Sequence, residues 1–160
     1  MKCRIFVSRD KRGMGFQDAQ LLIKQAARAA LKAEGIDVPV TIDVLLTDDS
    51  GIHEINLEHR NVDKPTDVLS FPQNDFSPGE FDAGIAEKNP ETGEILLGDV
   101  VISLERTRAQ GEEYGHGEKR EIMYLTVHSV LHLLGYDHLD EAEMKKQMRA
   151  REKKIMKTLE

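Results

Sequence analysis

Three histidines in the last third of this 160-residue chain, His128, His132 and His138, have the type and spacing of a metal site. Residues four apart stand one turn apart on the same face of an α-helix, so the imidazoles of His128 and His132 can share one cation. Gly135 follows them, and a glycine can take the left-handed conformation that ends a helix and turns the chain, bringing His138 to the same ion from outside the helix axis. Three neutral imidazoles suit zinc, one ion per chain, or another divalent transition metal. Three protein ligands also leave a position for water, the arrangement of catalytic rather than structural zinc. Water held there ionises near neutral pH, so the chemistry this trio implies is hydrolysis. A single histidine is more often a packing or surface residue, and that reading is given to His53, His59 and His116. For the trio it would require helical spacing, a glycine break and a third histidine to coincide by chance.

The spacing His-x-x-x-His-x-x-Gly-x-x-His is also that of metzincin peptidases, in which the residue after the first histidine is a glutamate acting as general base. Here that residue is Ser129, whose hydroxyl cannot take a proton from water at neutral pH. A metallopeptidase with its base elsewhere, such as Glu121 or Glu143, is therefore the alternative.

A scaffold must hold this motif. The spacing predicts a helix over 118–134 stopped by Gly135, after a helical stretch that begins beyond Ser103 and breaks around 111–117. Upstream, 3–8 reads as a strand, and 17–34 reads as a helix with Ala19, Leu22, Ile23, Ala26, Ala30 and Leu31 at helical spacing. Residues 40–46 alternate as a strand, and Asp48, Asp49 and Ser50 offer caps for a helix over 52–60. A short strand over 67–71 stops at Pro72, a longer one covers 94–103, and about twenty acidic, Gly- and Pro-containing residues join them, a length typical of a flap or a mobile segment. Asp140 and Glu143 form a capping-box-like pair for a last helix with Met144, Met148, Ile155 and Leu159 as its buried stripe. Strands precede most of the helices, so the class is α+β: one domain over 1–160, a small mixed β-sheet packed with several helices, and the metal site on a helix of the C-terminal half.

Composition bounds the partners. Apolar residues make up 39% and charged residues 32%, ordinary values for a globular domain. Cys3 is the only cysteine, which excludes an internal disulfide and a zinc site of several thiolates, and no apolar run is long enough for a signal-peptide core or a membrane span. The chain reads as cytoplasmic, with no membrane partner. A formal net charge of −7 argues against general coating of nucleic acid, so any RNA contact must be local. The charge is uneven: residues 75–99 carry seven carboxylates against Lys88 alone, and 144–157 carry seven cations against Glu152 alone. Lys145, Arg149, Lys153 and Lys157 recur every four residues, a basic row that either meets RNA or is a solvated helix face.

The stretch from His128 to His138, His-Ser-Val-Leu-His-Leu-Leu-Gly-Tyr-Asp-His, closely resembles the zinc signature of the YbeY family of bacterial endoribonucleases. Asn56, Arg60 and the run Asp63-Lys64-Pro65-Thr66-Asp67-Val68-Leu69-Ser70-Phe71-Pro72 look like that family's second hallmark, and Leu97-Gly98-Asp99-Val100-Val101-Ile102-Ser103 like its third. Ser129 is the clearest departure, the family more often having glycine there. The resemblance implies a metal-dependent endoribonuclease that prefers single strands and acts in 16S rRNA maturation and ribosome quality control, with small-subunit rRNA and the small ribosomal subunit as partners. It implies Arg60 and His128 as catalytic residues and Arg60 as a contact to substrate; Lys64 and Ser70 are further candidate substrate contacts, whose plainer readings are a solvated lysine and a satisfied strand serine. A guanidinium can grip a phosphate bidentately; a surface ion pair is the plainer reading of Arg60. Thr66 to Pro72 should form a cleft wall with Val68, Leu69 and Phe71 buried. Asp99 and Asp137 are candidates to accept the second N–H of a ligand histidine. A further reading is a ribosome-associated binding module whose metal is structural, closed by Cys3 or His116.

Overall fold

The computed structural model describes residues 3–136 and 142–160. Four strands form one mixed sheet: β1 (Cys3–Arg9), β2 (Val40–Thr47), β3 (Val68–Pro72) and β4 (Ile95–Ser103), in the order β1-β2-β4-β3. β1, β2 and β4 are parallel, and β3 runs antiparallel along the edge of β4. Parallel neighbours require a crossover, which α1 (Ala19–Ala33) supplies between β1 and β2, and α2 (Asp49–Arg60) with β3 supplies between β2 and β4. α3 (Leu104–Glu113), α4 (Gly117–Leu133) and α5 (Ala142–Thr158) complete an α+β domain, and no described helix is long and apolar enough to cross a membrane.

Alternation along β2 explains the layering. Val40, Ile42, Val44 and Leu46 are buried against α1 and α4, together with Ile5, Leu97, Ile102, Ile23, Leu31 and Leu131. Truncating one of these to alanine would cost about 2–5 kcal/mol. The intervening residues face the other way, where Leu45, Ile55 and Phe71 pack around Ile52, Leu69 and Val101. That smaller cluster seats α2 over the β3 side only and leaves Phe6 of β1 half exposed.

α4 is the innermost helix, with buried residues around most of its circumference and α1, α3, α5 and β3 packed about it. A helix apolar nearly all round belongs in a core, and this one fixes the histidines firmly. α2 is held at its start by Asp48, whose carboxylate accepts from Gly51 N at 2.8 Å, as the cap cluster implied. The segment between β3 and β4 is anchored: Phe76 and Ala86 are buried, and Asn74 ties it by donating to Leu96 O at 2.8 Å and accepting from Glu87 N at 2.7 Å. Asp140, assigned as a cap of the last helix, lies outside the described residues.

Candidate metal centre and phosphate cleft

His128 and His132 share one face of α4, with Nε2 atoms 3.1 Å apart. Two nitrogens bound tetrahedrally to one zinc, each about 2.0–2.1 Å from it, would stand at much this separation, so the pair fits a metal. His128 is oriented from behind. Its Nδ1 lies 2.5 Å from Oε2 of Glu152, a buried residue of α5. A carboxylate oxygen accepts, so Nδ1 carries the proton and the Nε2 lone pair points toward His132. Tyr124, one turn earlier on α4, donates to Glu152 Oε1 at 3.1 Å and stacks beside the His128 ring, centroids 6.0 Å apart. Burial, and then the charge of Glu152, push the Tyr124 hydroxyl pKa upward, so it stays a donor.

The chain leaves α4 as the glycine spacing requires. Gly135 has φ +102°, and a Cβ there would stand 2.2 Å from Phe76 O, so only glycine lets the turn pass under the segment after β3. Tyr136 is buried next to it and donates to Glu34 Oε1, at the end of α1, at 2.6 Å. Burial first, then this bond, push its hydroxyl pKa up to about 12. His138 and Asp137 lie outside the described residues, so the described chain supplies two of the three expected nitrogens.

Both imidazoles open into a cleft of about 500 Å³ whose other wall is β3 and the residues flanking it, Thr66, Asp67, Ser70 and Asn74 among them, with Arg60 at its edge. Arg60 is the last residue of α2, where the helix dipole favours a cation, and Asn61 caps it in the left-handed conformation. Its Nη2 donates to Ser70 O at 2.5 Å, and its guanidinium lies over the Phe71 ring, 5.2 Å from the centroid. Gly98 brings this wall close: a Cβ there would stand 2.3 Å from Phe71 O. Within the wall Leu69 is buried, whereas Val68 and Phe71 are half-buried because β3 is an edge strand with little covering its outer face.

Arg60, Ser70, His128 and His132 thus meet in one cleft, and Lys64 does not join them. Lys64 is exposed outside the lining, and its carbonyl accepts from Asn56 Nδ2 at 2.9 Å. Asp99 faces a different groove, beside Asp43 and Phe6, so it does not orient a cleft histidine; that part falls to Glu152. Ser129 is fully buried and donates to Leu125 O at 2.8 Å, offering nothing to the cleft. Glu121 is buried between His116 and Gln110, bonded to each at 2.7 Å, and neither His116 nor Cys3 lines the cleft.

Comparison with known proteins places the whole chain in a family. The family model described as Endoribonuclease YbeY matches residues 5–160. Among named relatives, Endoribonuclease YbeY of Agathobacter rectalis is 42% identical over 89% of this chain and 88% of its own length. That of Clostridium botulinum strain Loch Maree is 45% identical over 85% of each chain. That of Acetivibrio thermocellus is 43% identical over 86% of this chain and 85% of its own. The solution structure of TM1509 from Thermotoga maritima superposes with a TM-score of 0.58 at 25% identity, covering 96% of this chain and 86% of that one. A family model spanning nearly the whole sequence, with relatives of this identity and coverage, establishes that this chain belongs to the Endoribonuclease YbeY family.

Proposed function

We propose that the chain is a metal-dependent endoribonuclease that cuts single-stranded RNA in the cytoplasm, acting on small-subunit rRNA during its maturation and in ribosome quality control, with the small ribosomal subunit as partner. The observation that carries this reading is the meeting of the Arg60 guanidinium and the paired imidazoles of His128 and His132 in one cleft. A guanidinium matches phosphate geometry, and two convergent imidazoles match a divalent ion. His128, His132 and His138 are the proposed ligands. Zinc, or another divalent transition ion, supplies Lewis acidity toward a phosphate oxygen and lowers the pKa of water when bound.

The chain's own residues do the rest. Arg60 spends one N–H on Ser70 O and keeps further donors of its planar fork for phosphate oxygens. Because Ser70 O and the Phe71 ring already hold the guanidinium, it meets developing negative charge with little reorganisation. Ser70 shapes the wall beside the phosphate, and Lys64 adds attraction from outside it. Glu152 fixes which His128 nitrogen faces the ion. Ser129, bonded to the helix backbone, leaves the peptidase pattern without its base, which favours RNA over polypeptide as substrate.

The test is a pair of digestions. Zinc-loaded protein should cut an unstructured RNA, lose that activity to a chelator, recover it with zinc and leave casein intact. Metal-dependent cleavage of casein with RNA untouched would replace this reading by the peptidase. The product ends then distinguish water, the attacking group proposed here, from the RNA 2′-hydroxyl.

A further inference from the structure

α5 buries Met148, Glu152, Ile155 and Met156, and Glu152 seats the helix against His128. Its remaining surface is basic: Lys145, Lys146, Arg149, Lys153, Lys154 and Lys157 are all exposed. Among the described residues, the ion pairs of α5 are those of Glu152 with His128 and of Arg151 with Glu34 at 3.6 Å, and none of these six cations pairs with a described carboxylate. Like charges four apart repel along a helix, so this run carries a cost within the helix itself.

The cations also have a direction. At 100° per residue, Arg149 and Lys153 lie on one flank of the stripe, about 60° and 100° from Glu152, exposed Lys145 extends the row at the start of the helix about 20° from Glu152, and Arg151 lies on the other flank. Arg151 reaches back to Glu34 of the α1 end. Tyr124 is half-buried and stacks beside His128, which lines the cleft. Glu152, between Arg149 and Lys153 in the helix, bonds both Tyr124 and His128, so these cations lie beside the residue that reaches the cleft through His128, and the run from Lys145 to Lys153 spans about 12 Å at 1.5 Å per residue. On the cleft's other side stand the carboxylates of Asp67 and Asp75, the latter opening the acidic segment after β3. Beyond Arg60, a polyanion leaving the cleft meets mixed charge on that side and cations on this one.

We propose that the flank of α5 bearing Lys145, Arg149 and Lys153 is an extension of the RNA site, gripping phosphates of the strand next to the segment held in the cleft; this rests on the endoribonuclease reading above. The contact is electrostatic and without sequence preference, because a row of ammonium and guanidinium groups reads phosphate and not base edges.

Salt dependence tests it on the full-length, zinc-loaded protein. Binding of a fluorescent, unstructured RNA 20-mer is measured across a salt series for wild type and for Lys145→Gln/Arg149→Gln/Lys153→Gln. The control is Lys24→Gln/Arg28→Gln/Lys32→Gln, which keeps the spacing and charge change but sits on α1, a helix that contributes nothing to the cleft. Three lost phosphate contacts should flatten the slope of log K against log salt by about 2, at roughly 0.7 per contact for a single strand, and weaken low-salt binding by about tenfold. The loss should shrink for a tetranucleotide, too short to leave the cleft. Zinc content and the thermal midpoint should match wild type, and the α1 variant should keep the wild-type slope. An unchanged slope in the α5 variant, or an equal loss in the α1 variant, overturns the proposal while leaving the endoribonuclease reading intact. An unchanged RNA slope with weakened capture of polyglutamate assigns the face to an acidic protein and also overturns it. Wild-type protein that neither binds nor cuts RNA overturns both.

Discussion

Two depressions of nearly equal size flank the sheet, and only one has the makings of an active site. The cleft beside β3 and α4 measures about 500 Å³, and the groove beside α2, between Phe6, Asp43, Ile55, His59 and Asp99, about 480 Å³. In the cleft three polar groups are held by others: Arg60 by Ser70 O and Phe71, His128 by Glu152, Tyr136 by Glu34. In the groove Asp43 and Asp99 sit side by side on paired strands, and among the described residues neither has an ion-pair partner. The groove is the more apolar of the two and the less organised. Chemistry follows the wiring of polar groups and not the volume they enclose, because a catalytic group must be in position before charge develops.

The comparison breaks most visibly if the wiring of the cleft is cut at the metal. His132→Ala, alone or with His128→Ala, should abolish stoichiometric zinc, since the imidazoles that remain hold a divalent ion far more weakly than three. Elemental analysis of the purified protein reads this directly. Wild-type metal content in the double variant would remove the metal centre and the hydrolytic reading with it.

Arg60 comes next. Arg60→Ala should leave zinc content normal and lower RNA turnover about a hundredfold, roughly 3 kcal/mol, as for other preorganised donors to developing charge. Arg60→Lys should restore little, because an ammonium keeps the charge but lacks the planar fork that Ser70 O and Phe71 orient. Full cleavage by Arg60→Lys would reduce the role to simple attraction, and full cleavage by Arg60→Ala would take it out of the site.

A smaller effect separates orientation from ligation. Glu152→Gln keeps the size and one acceptor oxygen but loses the charge that steadies the His128 N–H, and such partners typically account for 10–100-fold in metal affinity. Zinc affinity by chelator competition should fall about tenfold with the thermal midpoint of the metal-free protein little changed. Unaltered affinity would make Glu152 a packing residue.

What the sequence made legible follows the range of the interactions. His128, His132 and Gly135 were readable because a four-residue step and a left-handed turn are local geometry. The mixed sheet follows from the order of strands and helices along the chain, but the anchoring of the segment after β3 does not, since Phe76, Ala86 and Asn74 follow no period. Arg60 stood out by resemblance; its clasp by Ser70 O depends on β3 folding back beside the end of α2. Glu152 is not among the orienting residues the motifs suggest, Asp99 and Asp137, of which Asp99 faces the other groove and Asp137 lies outside the described residues. Yet a signal was there. Glu152 is the one carboxylate in a basic run, and it falls in step with Met148, Ile155 and Met156, at a buried position where an acid needs a partner.

The mildest test acts on the other depression. Burial, and then the neighbouring Asp99 carboxylate, raise the Asp43 pKa above its ordinary 3.8. The folded state therefore binds more protons than the unfolded chain in the window above 3.8, and stability from this group falls as pH rises through that window. At neutral pH the Asp43 carboxylate opposes folding, and Asp43→Asn should relieve it. The gain should be at most about 0.5 kcal/mol at pH 7, because solvent screens repulsion between partly exposed carboxylates. It should shrink as pH is lowered toward 4, where the wild-type group takes up its proton. Urea midpoints at pH 7, 5 and 4 read both the gain and its decline, and zinc content and RNA cleavage should stay as in wild type. A stabilised variant with full activity keeps the two depressions distinct. A variant that loses RNA cleavage would show that the groove beside α2 belongs to the working surface after all, and that organisation inside the cleft alone does not mark where this protein acts.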